Sequence, residues 1–228
     1  LLDPRPSGFH SDRLIPLDPR RADSVRVNGI RIDRSDDGYR VDGHRDVDPA
    51  RVERLLARLA EWPRPDAGAL EPVDGPPLVT IEADGLRFAL QATDPALAEA
   101  LAGVRAHQLR ARGILPRLDP PAVTDLIIQP TGGAPDIISR DADGAWPAAD
   151  AERVRAFLRA LARAEVAEWH GPIPADLDAE RVDATISIAA GDDTWTIRLR
   201  AADGIVVVEG RDLYGPLNAR SRREVLER

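Results

Sequence analysis

One stretch occurs twice in the chain, and it constrains the fold more than any other feature. Asp48-Pro-Ala-Arg-Val-Glu-Arg-Leu-Leu-Ala-Arg-Leu59 has a counterpart in Asp150-Ala-Glu-Arg-Val-Arg-Ala-Phe-Leu-Arg-Ala-Leu161. Each opens on an Asp suited to cap a helix, and Pro49 occupies the first helical position, where its missing N–H costs nothing. Val52, Leu55, Leu56 and Leu59 repeat at i, i+3, i+4, i+7, as do Val154, Phe157, Leu158 and Leu161, so each copy predicts a helix with one apolar face. A Trp closes each helix, Trp62 and Trp169. Two helices with one cap and one stripe mark an internal repeat.

The flanking sequence repeats too. Leu17-Asp-Pro19 precedes Ser24-Val-Arg-Val-Asn28, and Leu118-Asp-Pro120 precedes Val123-Thr-Asp-Leu-Ile-Ile128. Alternation of Val25 and Val27 with polar neighbours predicts a half-buried strand. Asn28-Gly29 predicts a tight turn into Ile30–Asp33, and Asp36-Asp37-Gly38 a turn into Tyr39–Val41. Thr131–Gly133 and Asp141–Gly144 are the corresponding turns around Asp136–Ser139. After each helix and a connector comes a hairpin: Leu78–Glu82 with Leu86–Leu90, and Ala184–Ile188 with Thr194–Leu199. The first copy then predicts a helix from about Pro95 to Arg112. The second predicts a third strand, Gly204–Glu209, and a short helix from about Ala219 to Glu227. The expected class is α+β: two tandem units, 13–112 and 113–228, each of antiparallel hairpins packed with one or two helices, after an extended lead-in over 1–12.

Composition narrows the function. A hydrophobic fraction of 43% supports a core, and an aromatic fraction of 4% makes that core aliphatic. The net charge of −8 argues against general nucleic-acid or anionic-membrane binding. All 31 basic residues are Arg, which with the Ala, Pro and Asp content reads as the codon bias of a GC-rich genome. With no Cys, disulfides, thiol catalysis and Cys-ligated zinc are excluded. No apolar run reaches the roughly 20 residues of a membrane helix, but the chain starts on Leu1 and not on Met, which leaves room for a preceding anchor.

No motif carries chemistry. His10, His44, His107 and His170 are scattered without ligand spacing. Asp141-Ala-Asp-Gly144 opens like a calcium loop but lacks the distal Glu, and a turn is the better reading. Asp36/Asp37, Asp46/Asp48 and Asp192/Asp193 could serve as paired carboxylates in a hydrolase, yet all lie in turns or at a helix cap, where Asp is favoured for local hydrogen bonding. No cofactor, metal or catalytic residue is expected. The candidate interaction residues are Trp62, Trp146 and Trp169, either closing the cores or serving as stacking platforms, and the basic cluster Arg220, Arg222, Arg223.

In order, Leu17-Asp-Pro19, Asp37-Gly38-Tyr39 and Asp48–Leu59, then Leu118-Asp-Pro120, Asp143-Gly-Ala-Trp146 and Asp150–Leu161, resemble the bacterial domain of unknown function 4340 in two copies over most of residues 13–228. The first copy departs from the pattern in lacking the strand Gly204–Glu209. The resemblance implies a domain outside the cytoplasm on a membrane-anchored protein, linked to ABC-type transport of the gliding-motility kind, and it carries over no known activity or catalytic residue. The leading expectation is a non-enzymatic accessory module that contacts transporter subunits through open sheet edges. The alternative is a cell-envelope glycan-binding module using exposed Trp rings.

Overall fold

The computed structural model describes residues 13–66, 69–72, 75–90, 92–177, 182–211 and 213–226, so the expected lead-in over 1–12 lies outside the described residues. The chain divides into two compact units between Ala111 and Arg112. Both are α+β, each built on an antiparallel sheet with helices against one face.

In the first unit the Leu-Asp-Pro motif makes a single 3-10 turn, Pro19–Arg21, with the Asp18 side chain accepting from the Arg20 N–H at 3.0 Å. Ser24–Val27 (β1), Ile30–Ser35 (β2) and Gly38–Val41 (β3) follow as a meander. The β1–β2 hairpin closes on Asn28 (φ 47°) and Gly29 (φ 82°), the left-handed pair that a two-residue hairpin turn demands. Pro49–Ala60 (α1) begins as its sequence dictates: Asp48 accepts from the Arg51 N–H at 3.2 Å. After a short Glu71–Pro72 (β4), Val79–Ala83 (β5) and Leu86–Ala89 (β6) form the second hairpin. Ala92–Thr93 (β7) pairs with β4. Pro95–Ala102 (α2) is capped by Asp94.

The main sheet runs β3-β2-β1-β5-β6, antiparallel throughout. Its register aligns Val25 with Ile32 and Ile81, and Val27 with Ile30 and Val79. Those side chains share one face and bury it under Val52, Leu56 and Leu59 of α1 and Leu97 and Leu101 of α2. Leu55, on the edge of the helix stripe, stays half-buried. Burial of each such aliphatic side chain is worth about 1.5–3 kcal/mol.

The second unit repeats the plan. Pro120–Ala122 is again a 3-10 turn, followed by Asp125–Pro130 (β8), Asp136–Ser139 (β9), Ala151–Arg163 (α3), Ala184–Ala190 (β10) and Asp193–Arg200 (β11). Ile205–Val208 (β12), Leu213–Pro216 (β13) and Ala219–Leu226 (α4) complete it. The order β9-β8-β10-β11 matches β2-β1-β5-β6 strand for strand. Each sheet then grows at the opposite end: the first by β3 beside β2, the second by β12 and β13 beyond β11.

Three expectations need correction. The helix predicted from Pro95 to Arg112 ends at Ala102, because Gly103 weakens it and the backbone beyond is used elsewhere. A 3-10 turn, Ala106–Leu109, follows. The chain then pairs with the segment before α1, through Asp48 N–H to Leu109 O and Ala111 N–H to Asp46 O, both 2.9 Å. Asp150 precedes α3, yet its carboxylate makes no cap bond and accepts instead from Arg153 at 2.7 Å. The second unit also gains β13, a strand absent from the sequence reading.

Candidate interaction edges

A sheet that ends on an unpaired strand offers its backbone to another chain. The edge β13 is sealed. The segment Glu165–His170 runs beside it, with His170 N–H to Tyr214 O at 2.8 Å, Tyr214 N–H to His170 O at 3.1 Å and Ala167 N–H to Pro216 O at 2.9 Å. Gly215 makes this approach possible, since a Cβ there would lie 2.2 Å from the Glu168 carbonyl oxygen. The edge β3 is shielded in part: Val41 folds back on His44, and Tyr39 donates a hydrogen bond to Glu53 of α1.

The remaining edges, β6 and β9, pair only with β5 and β8 among the described residues. Each bears a large apolar side chain in solvent: Leu86 on β6 is 45% exposed and Ile137 on β9 is 63% exposed. Among the described residues these are the exposed large hydrophobics. Each open edge also corresponds to a covered one in the other unit. β6 corresponds to β11, which β12 covers; β9 corresponds to β2, which β3 covers. The sequence reading did not single out Leu86 or Ile137. Both sit in strand patterns that read as core, and the available signal was their place in the last strand of a hairpin.

The Trp residues fall to the cores. Trp62 is half-buried against the first core; its Nε1–H donates to Asp94 at 3.0 Å and Arg58 lies over its ring at 5.8 Å. Trp146 and Trp169 join the second core, 6% and 1% exposed, under the guanidinium groups of Arg140 at 4.9 Å and Arg211 at 5.3 Å. The expectation of Trp stacking platforms is corrected for Trp146 and Trp169, whose rings have too little exposed surface to receive a sugar. The arginines of the basic cluster are all exposed and differ in their partners. Arg220 pairs with Glu224 at 2.9 Å, which raises its pKa. Arg222 donates to the carbonyls of Ala201 and Ala202 at 3.2 and 3.0 Å. Arg223 is exposed and has no ion pair among the described residues.

The carboxylates considered for catalysis lie at a helix cap, beside Arg110 and at two hairpin turns. Asp48 caps α1, and Asp46 pairs with buried Arg110 at 2.6 Å. Arg110 is 3% exposed; burial pushes its pKa down, and the charges of Asp46 and Asp42 oppose that. Asp36 and Asp37 form the β2–β3 turn, while Asp192 and Asp193 stand at the β10–β11 turn. Asp141 uses one oxygen to accept from the Asp143 and Ala145 N–H groups at 3.0 and 2.8 Å, the turn that its sequence predicts. Among the described residues no three His, Asp or Glu side chains come together as a metal site, and no helix is long and apolar enough to cross a membrane. No family model matches the chain, and no curated protein or solved structure matches it either.

Proposed function

We propose that this protein is a non-enzymatic accessory module that works by protein–protein contact, receiving an extended segment of its partner as an added strand at β6 or β9. One observation carries the reading: the large hydrophobics exposed among the described residues both lie on open sheet edges, where the matching edge of the other unit is covered by a strand. The repeat thus gives a template for what each edge accepts. Backbone pairing would supply affinity and alternate side chains specificity. The sequence resemblance to the domain of unknown function 4340 supplies the setting, the outer side of a bacterial membrane, and the partner, subunits of an ABC-type transporter. Both belong to the proposal.

The test is affinity purification of the full-length protein from gently solubilised native membranes, run beside variants Leu86→Lys and Ile137→Lys. Exposed substitutions of this kind change stability by about 0.5 kcal/mol or less, so lost binding would not reflect lost fold. Near-stoichiometric transporter subunits with the unaltered chain, and their loss with one or both variants, are the expected result. Recovery that is indifferent to both variants would reject strand addition. A preparation free of transporter subunits would reject the partner.

A further inference from the structure

The second unit contains a cavity of about 410 Å3 walled by Pro120, Pro121, Trp146 and three arginines, Arg140, Arg155 and Arg159. Its described lining holds no carboxylate. Arg140 is a fixed part of the wall. Its Nε donates to the Val123 carbonyl at 2.6 Å, its terminal nitrogens donate to Gly144 and Pro121 at 2.8 Å each, and its guanidinium stacks on Trp146. These partners are neutral, so its charge has no counter-ion there. Arg155 and Arg159 stand one turn apart on α3, both exposed, with no ion pair or side-chain hydrogen bond among the described residues. Like charges at this spacing repel. The buried Nε1–H of Trp146 has no acceptor either.

The first unit serves as an internal comparison. Aligning Asp48 with Asp150 sets Glu53 opposite Arg155 and Ala57 opposite Arg159. Glu53 accepts from the Tyr39 hydroxyl, and the same helix packs on the same strands. The fold therefore does not require arginine at either position. Two free guanidinium forks beside a third fixed cation, in a cavity of small-ligand size, suit a compact dianion. A planar carboxylate is saturated by one fork, whereas a tetrahedral phosphate has oxygens for both. We infer that this cavity binds a phosphate group, with Arg155 and Arg159 as the binding cations and Arg140 as the rigid positive wall.

The experiment is a titration of the full chain with inorganic phosphate at constant ionic strength, followed through the four indole N–H resonances by NMR. The Trp146 resonance should move saturably with a Kd of about 1 mM, leaving that of Trp62 in place. The double variant R155Q/R159Q should lose roughly tenfold or more in affinity, since each bidentate contact is charge-assisted. Its melting temperature in phosphate-free buffer should equal or exceed that of the unaltered chain, because the repulsion is gone. E53Q should bind phosphate unchanged. Glycerol 3-phosphate and vesicles containing phosphatidic acid separate the two sources: saturation by the former assigns a soluble ester, binding to vesicles alone a lipid headgroup. A linear drift of Trp146 without saturation, or equal binding by R155Q/R159Q, overturns the assignment.

Discussion

Arg110 and Tyr39 show how far one side chain's role depends on its surroundings. Arg110 looks in the sequence like any other of the arginines, yet it is the buried cation that balances Asp46 where the end of the first unit pairs with the segment before α1. Removing one partner of a buried pair leaves the other uncompensated, at about 3–5 kcal/mol. Arg110→Ala should lower the urea midpoint accordingly, and the R110A/D46A double variant should recover part of the loss. Tyr39 reports on pH. Burial, and then the hydrogen bond to Glu53, push its pKa up to about 12. A raised pKa favours the neutral phenol in the folded state, so its contribution is intact below the ordinary tyrosine pKa near 10. It is lost as pH rises from there through about 12. Stability of the unaltered chain should fall over that window, and Tyr39→Phe should flatten the fall. Absorbance titration of phenolate, with Tyr214 as the second tyrosine, assigns the late-ionising group.

At the scale of elements, what the sequence revealed and what it hid follow from the physics of each segment. Strands β1, β2, β5, β6, β10 and β11 were legible because alternation and turn residues agree. Helices α1 and α3 were legible from their apolar stripes. Leu213-Tyr-Gly-Pro216 was not, because Gly and Pro there read as a turn; as β13 they are tolerated since the strand lies at the end of the sheet and Gly215 admits the carbonyl of Glu168. The truncation of α2 was hidden because Ala106–Ala111 has helix-compatible composition and its backbone is claimed by a distant segment. The open edges were hidden for a related reason: whether the backbone of β6 or β9 is covered depends on which strand ends the sheet. Gly215→Ala should force the Glu165–His170 strap off β13, at about 1–3 kcal/mol, the usual range for overpacking. Hydrogen exchange should then show faster exchange at the Tyr214 and His170 amides, with β10 and β11 little changed.

For the whole molecule, each unit has its own hydrophobic core, one around Val27, Leu56 and Ile81, the other around Leu126, Leu158 and Trp169. Units of this size fall within the ordinary range of autonomous domains. Chains 1–111 and 112–228, expressed separately, should each unfold in one cooperative transition, with urea m-values of about 1–2 kcal/mol/M. A non-cooperative transition in either would show that its core is incomplete alone.

The open edges are short, four residues in β6 and four in β9. An antiparallel edge turns only every second residue's N–H and C=O outward, so one docked segment gains few bonds and its residence time should be brief. Two such edges on one polypeptide change the kinetics: once one is occupied, a tethered second segment is presented at an effective concentration that can reach the millimolar range. Under the proposed strand addition, a partner whose two extended segments are joined by a linker long enough to reach both edges would be held longer than one offering a single segment.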